Sequence, residues 1–477
     1  MSTLPAGRRA PRDVPGASPA PLVVRTAELD ITDTSRPASD PVSRVLAALA
    51  SDDDGALLDL LPDAATPLAW VRRGEGIVGW GEALRFTTSG PDRFREAEDL
   101  CRETLASAVV RDEVQLPGTG PIAFGSFAFG PVVPAEAGTP VALDAPSVQS
   151  VVVVPRVVVG RRGGRAWITT IDPAGSIGPA PSADLLDPAA RTAVTAPGEV
   201  RYAPGGRDPR AWVDVVGQGV ARIRAGELEK VVLARDVVAT TEHPVDPRHL
   251  LGRLSRGYRG AWTFSVGGMV GATPELLARA EKGLVTSRVL AGTVRRTGND
   301  DADLARAAHL AHSSKDLEEH EYAVRSVARA LEPYCSSMNV PESPFVLDLP
   351  NVLHLATDVT GVLHEHASSL AIAAALHPTA AVCGTPTDAA AALVAEIEGM
   401  ERGRYAGPVG WFGADGDGEW GIALRSAELG SSATGDDAAA HRVRLFAGCG
   451  IVAASDPEAE LRESEAKLEP MRFALAD

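Results

Sequence analysis

Short β-like runs punctuated by glycine dominate the first half of the chain. GEGIVGWGEALRFTT (74–88) and GPIAFGSFAF (120–129) are of this kind, and a helical pattern, PDRFREAEDLCRETLASAVV (91–110), lies between them. The longest apolar run, SVVVVPRVVVG (150–160), is broken by Pro155 and Arg156; it is too short to span a bilayer and predicts β structure. A stretch rich in Pro, Gly and Ala (173–200) reads as a long surface connection. The second half is better punctuated. Asp208-Pro209 supplies a helix N-cap followed by proline at the first helical position. Trp212, Val216, Val220 and Ile223 then recur at helical spacing until Gly226. Asp246-Pro247 repeats the device. Runs at 261–270 and 284–294 predict strands, 301–331 one long helix, 367–376 and 386–400 further helices, and 407–428 a hairpin. The strand RVRLFAGCGIV leads into a last helix at 456–472, for which Ser455 and Glu458 form a capping box. The fold class is α+β, with hairpins implying antiparallel sheet.

Composition narrows the function. The chain has 477 residues, 45% hydrophobic and 23% charged, which is ordinary for a globular protein with a sizeable core. A net charge of −17 without a basic stripe argues against nucleic acid and anionic membranes, while leaving room for a locally positive pocket. Cys101, Cys335, Cys383 and Cys449 lie far apart with no CxxC spacing, so neither a zinc site nor a disulfide framework is expected, and a reducing cytoplasm fits. Residues 1–40, rich in Pro, Ala, Arg and Ser, predict a disordered tail, with 41–200 and 201–477 as the two parts of the folded unit. The N-terminus has no apolar core of the kind a secretory signal needs.

Several residue patterns carry candidate chemistry. In ELEKVVLARD (227–236), Lys230 shares a strand face with Val232 and Ala234. It is either an edge-strand lysine that discourages aggregation or a base aimed into a pocket. Asp316 and Glu319, three apart in SSKDLEEHEYAV, share one helix face; Glu460 and Glu463, with Lys467 four further on, share another. Each pair alone is usually a solvated face, but two pairs suit a hard cation such as Mg²⁺, which takes one or two carboxylates and keeps other positions for water and ligand oxygens. Gly448 and Gly450 in FAGCGIV offer backbone N–H groups close to a carboxylate, or else a tight turn. Arg425 ends a hairpin strand, and Glu275 follows Pro274 at a strand-to-strand corner.

Taken together, LEKVVLARD, GATPELLAR, LAGTVRR, SSKDLEEHEYAV, VLHLATDVTG, LHPTAAVCGTP, RGRYAGPVGWFGADGDGEWGIALRSA and LFAGCGIVAASDPEAELRESEAKL resemble the chorismate-utilising enzymes, most closely the isochorismate synthases. The likeness covers roughly 205–475, and GPIAFGSFAFGP is its clear match in the first half. It implies an anthranilate synthase component I-like unit with two central antiparallel β sheets covered by outer helices. It implies Mg²⁺ between protein and the ring carboxylate of chorismate, with Glu319 and Glu463 as ligands and Glu460, or Asp316, holding water on the metal. Arg425, Gly448, Gly450 and Lys467 match positions that grip substrate carboxylates; Thr293, His354, Ala356 and Tyr405 match the pocket wall. Lys230 matches the general base that activates water for attack at C2. Glu275 matches the general acid that protonates the departing C4 hydroxyl. That chemistry needs Lys230 neutral and Glu275 protonated, and burial pushes both in those directions.

Within the family, anthranilate-type sequences carry glutamine where Lys230 stands, so Lys230 implies hydroxylation and no glutaminase subunit. Salicylate synthases keep the lysine and eliminate pyruvate, but differ at LHPTAAVCGTP. The expected function is therefore isochorismate synthase, a monomer serving menaquinone or siderophore synthesis. Salicylate synthase is the alternative, and a catalytically silent chorismate binder is the alternative of a different class.

Overall fold

The computed structural model describes residues 21–33, 35–130, 149–348, 352–365, 367–430 and 437–476, without the side chains of 315, 316, 319, 437 and 438. Hydrogen bonding runs unbroken through 21 strands. They form two antiparallel arms that share one strand, Ser150–Arg162. The first arm starts at Lys230–Thr241 and passes through Arg442–Ile451, Ser426–Leu429, Met269–Thr273 and Trp262–Val266. It continues through Leu68–Arg72 and Glu75–Thr88 to the shared strand. The second arm runs from Val352–Leu363 through Leu284–Arg295, Leu276–Glu281 and Gly418–Ile422. Pro408–Gly413 and Ile122–Ser126 then bring it to the same shared strand.

The composition of the shared strand explains its place. Val151 to Val154 are all buried, as a strand covered on both faces requires. Pro155 cannot donate to a ladder, and it lies where the register with the neighbouring strand shifts between Glu82 and Leu84. Between the arms, Trp70, Trp262 and Phe264 from the first pack with Leu276, Val409 and Trp411 from the second. Helices Pro209–Arg224 and Thr387–Ile397 cover the Lys230 strand, while Pro247–Gly257 and Pro457–Leu475 cover its continuation. Ser314–Leu331 and Ser369–Leu376 cover the second arm. No described helix is long and apolar enough to cross a membrane.

Three expectations need correction. The tail expected over residues 1–40 contains a strand, Leu22–Leu29, which pairs antiparallel with Arg165–Pro173 and parallel with Val109–Asp112. Its alternate residues Leu22 and Val24 are fully buried, and that apolar alternation outweighs the tail-like composition before it. The helix expected over 301–331 is two, Asp300–His312 and Ser314–Leu331, because Ser313 takes an extended conformation (ψ 111°). Finally, the last helix is capped by Asp456, which accepts from the Ala459 N–H at 2.8 Å, with Pro457 following. Ser455 Oγ instead accepts from the Val452 N–H. Asp-Pro thus opens four of the described α-helices, at 40–41, 208–209, 246–247 and 456–457.

Candidate active site

Lys230 is the first residue of its strand rather than a central one, and it pairs with Thr385. Adjacent antiparallel strands keep paired residues on one face. Gly450 stands opposite Val232 and Gly448 opposite Ala234, so both glycines share the face of Lys230. The absence of side chains there leaves the backbone open to a ligand, while a Cβ on Gly448 would press on the Leu233 carbonyl at 3.0 Å. The Gly448 carbonyl accepts from Lys467 Nζ at 3.0 Å.

Lys467 also pairs with Glu463 one helical turn earlier, Nζ to Oε1 at 2.6 Å. Burial opposes charge on both, yet their mutual attraction prevails: the Glu463 carboxyl titrates below its usual range and the Lys467 ammonium above. Carboxylate oxygens of Glu460 and Glu463 and the Cys449 sulfur lie within 4.8 Å of one another. Burial raises the Cys449 thiol, so it stays protonated, and the group offers oxygen donors to a hard cation. The side chains of Asp316 and Glu319 lie outside the described residues.

Glu275 occupies the corner between Met269–Thr273 and Leu276–Glu281, where Pro274 turns the chain. It is 6% exposed, and a cavity of 10 Å³, about one water in size, borders it. Burial pushes its carboxyl up to about 7, against the pull of Arg425, Lys230 and Lys467. Those three side chains therefore act on one carboxyl. Arg425, held at φ +48° in the bend between Gly418–Ile422 and Ser426–Leu429 rather than at a strand end, makes no ion pair among the described residues. Burial lowers its pKa, and Tyr405, Glu463, Cys449 and Glu275 oppose that shift.

Thr293, His354 and Ala356 lie on the second arm. His354 Nδ1 and Thr293 Oγ1 share a hydrogen bond of 2.9 Å. The register slips between Ala291 and Thr293, at Gly292 with φ +78°, and this bulge brings Thr293 opposite His354. Burial, with Arg425 and Lys467, lowers His354 to about 3, so its imidazole is neutral. Its Nε2 is buried without a partner among the described residues. Ala356 is fully buried two residues along, on the same strand face. Tyr405 stacks on Phe446 at 4.8 Å, and burial drives its phenol up to about 12.

The structure thus brings Lys230, Glu275, His354, Tyr405, Arg425, Glu463 and Lys467 into one electrostatic neighbourhood. A chorismate-binding enzyme family model matches residues 68–476. This chain belongs to the chorismate-binding enzymes. It is 39% identical over 280 residues to the isochorismate synthase DhbC of Bacillus subtilis, covering 56% of this chain and 68% of that protein. It is 32% identical to the salicylate biosynthesis isochorismate synthase of Pseudomonas aeruginosa, covering 87% and 86%. The structure of a 2,3-dihydroxybenzoate-specific isochorismate synthase from Bacillus anthracis superposes with a TM-score of 0.69 at 29% identity, covering 88% of this chain and 98% of that one. Anthranilate synthase component I of Streptococcus pneumoniae shares the fold alone, at 21% identity, a TM-score of 0.63 and coverage of 83% and 91%.

Spacing did not reveal two residues that hold the site together. Glu398 and Arg402 form a buried ion pair of 2.6 Å behind the Lys230 strand. An acidic and a basic residue four apart ordinarily signal a solvated helix face, so only the RGRY motif hinted at Arg402.

Proposed function

We propose that this chain is an isochorismate synthase, converting chorismate and isochorismate reversibly. The observation that carries the proposal is a buried carboxyl pushed up to about 7, Glu275, beside Lys230, Arg425 and Lys467. Each residue then has a task. Arg425 and Lys467 hold substrate carboxylates by charge-assisted bonds, over a floor that Gly448 and Gly450 leave open. Lys230 Nζ takes a proton from water as its oxygen bonds to C2. The ring electrons shift, the C4–O bond breaks, and Glu275 gives its proton to the departing hydroxyl. One water is consumed and one released, so the step is an isomerisation. Neutral His354, fixed by Thr293, and Tyr405, fixed by its stack on Phe446, shape the wall. Glu463 and Glu319 would ligate Mg²⁺, with Glu460 beside them; when bound, the metal polarises the ring carboxylate and withdraws electrons from the ring. The proposed setting is a cytoplasmic monomer with no glutaminase partner.

The test is incubation of purified protein with chorismate and Mg²⁺, with and without EDTA, followed by chromatography. Isochorismate in equilibrium with chorismate, absent under EDTA, is the expected result. Salicylate with pyruvate would replace the proposal by a salicylate synthase, and no turnover would replace it by a silent binder.

A further inference from the structure

The cavity that borders Glu275 lies between the second arm and the helix Ser314–Leu331, and the segment 379–381 closes one side of it. None of Lys230, His354, Tyr405, Arg425, Glu463 and Lys467 lines it, so it stands apart from the groups that grip the substrate. Leu277, Val289 and Val327 make its apolar side. At 10 Å³ it has room for one water, and a water held in a protein interior ordinarily makes about three hydrogen bonds. Cavities with only apolar walls stay dry, so the polar atoms of this wall decide whether a water is held.

Three polar side chains besides Arg288 line it: Glu275, Ser287 and Thr379. Ser287 is buried and its hydroxyl donates to the Leu277 carbonyl at 2.7 Å, which leaves its oxygen able to accept. Thr379 is 9% exposed, and its Oγ1 has no hydrogen-bond partner among the described residues. A buried hydroxyl without a partner carries the full cost of its desolvation, which a water in reach would offset. The backbone holds Thr379 in place, since its carbonyl accepts from the Val382 N–H at 3.1 Å and the Cys383 N–H at 3.0 Å. Arg288 is bidentate to Asp358, both bonds at 2.7 Å, so its charge is met there. The segment runs on to Gly384–Thr385, which pairs with the Lys230 strand, so one short stretch of chain borders Glu275 and Lys230 alike.

We propose, on the reading of Glu275 as general acid, that Thr379 is a positioning residue that orients Glu275 through one water held in this cavity. The Thr379 hydroxyl donates to the water, and the water donates to Ser287 Oγ and to the carboxyl oxygen of Glu275 that carries no proton. The protonated oxygen is thereby kept for the substrate. When that proton passes to the departing C4 hydroxyl, the carboxylate left behind keeps the water's hydrogen bond, which is now charge-assisted and stronger. A bond that strengthens as charge develops raises kcat without tightening substrate binding.

High-resolution crystal structures, melting curves and kinetics of the parent, Thr379→Val and Thr379→Ser test this. Valine keeps the shape of threonine without its hydroxyl, and serine keeps the hydroxyl. Density for one water should join residue 379 to Glu275 in the parent and in Thr379→Ser, and be absent from Thr379→Val. In Thr379→Val the kcat for isochorismate formation should fall about tenfold, the loss of one charge-assisted hydrogen bond, with KM for chorismate within about twofold of the parent. Thr379→Ser should recover kcat to within about threefold. The parent should melt above Thr379→Val; a dry cavity predicts the reverse order, because valine would then remove an orphaned hydroxyl. No density for a water in the parent, or a Thr379→Val variant that melts higher, would overturn the water. Density as expected with an unchanged kcat in Thr379→Val, or a loss that Thr379→Ser does not restore, would overturn the positioning role. A parent without turnover would instead overturn the general-acid reading and the positioning role with it, while the density judges the water whatever the turnover.

Discussion

Glu275 is protonated to about pH 7 because burial disfavours its charged form, and its catalytic task depends on that proton. The chorismate-consuming rate should therefore decline as pH rises through about 7, a limb that a pH–rate profile would reveal. The same shift has a stability consequence. The native carboxyl binds its proton more tightly than the unfolded one, which titrates near 4.5. Its contribution is complete below that value and is lost as pH climbs toward about 7, a difference of about 3 kcal/mol. Glu275→Gln, which stays neutral, should gain on the parent by up to that amount between pH 4.5 and 8, measured by urea unfolding, while losing turnover. Lys230→Ala tests the other half of the pair. Chorismate should still bind in calorimetry, through Arg425 and Lys467, while water addition falls by about 10²-fold or more. Undiminished turnover would remove Lys230 from the role of base.

At the scale of elements, what matters is how the Lys230 strand is held. Its pairing with Gly384–Thr385 covers Lys230 and Val231, the Val232 N–H still reaches the Cys383 carbonyl at 2.8 Å, and beyond it an ion pair takes over backbone groups. Glu398 accepts from the Ala234 N–H at 2.7 Å, and Arg402 donates to the carbonyls of Val232 (2.7 Å) and Val382 (2.8 Å). Arg402→Met should cost about 3–5 kcal/mol in unfolding experiments, since Glu398 is left charged and buried. Removing both charges, as Glu398→Leu with Arg402→Met, should fail to restore stability, because three backbone groups would remain unpaired. Hydrophobic period alone located this strand, its glycine-bearing neighbour and the helices around them, since these follow from which faces are apolar. It did not locate the brace, because burial of a charged pair depends on the surrounding tertiary structure. Nor could alternation bring Thr293 opposite His354; the extra residue at Gly292 does that, and a bulge leaves no mark on period two beyond the glycine itself. The split at Ser313 was hidden for a similar reason: no glycine or proline signals it.

At the scale of the whole molecule, the two arms must keep a fixed relation, because Lys230 belongs to one and Glu275 to the corner where the chain crosses to the other. The shared strand provides the covalent and hydrogen-bonded hinge between them, and Glu419 adds a buried tie. It stands on the second arm and accepts from Trp70 of the first and from Arg162 of the shared strand. Burial works against its charge, yet Arg279, Arg162 and the Trp70 N–H hold its carboxyl below the usual range. A depressed carboxyl contributes stability above the unfolded value near 4.5, and loses it as pH falls through its native value. Glu419→Gln keeps an acceptor for Trp70 but leaves Arg279 without its counter-charge and Arg162 with Glu281 alone. It should cost about 1–3 kcal/mol at neutral pH, less than a fully buried pair because both arginines reach solvent. Acid should narrow the difference between variant and parent until, below the native titration of Glu419, the two unfold alike. Glu275 loses its contribution in the opposite direction, so the parent should be most stable in mildly acidic solution, and the two substitutions should displace that optimum to opposite sides. A gap between Glu419→Gln and parent that stays constant down to pH 3 would mean that the tie acts through packing rather than charge.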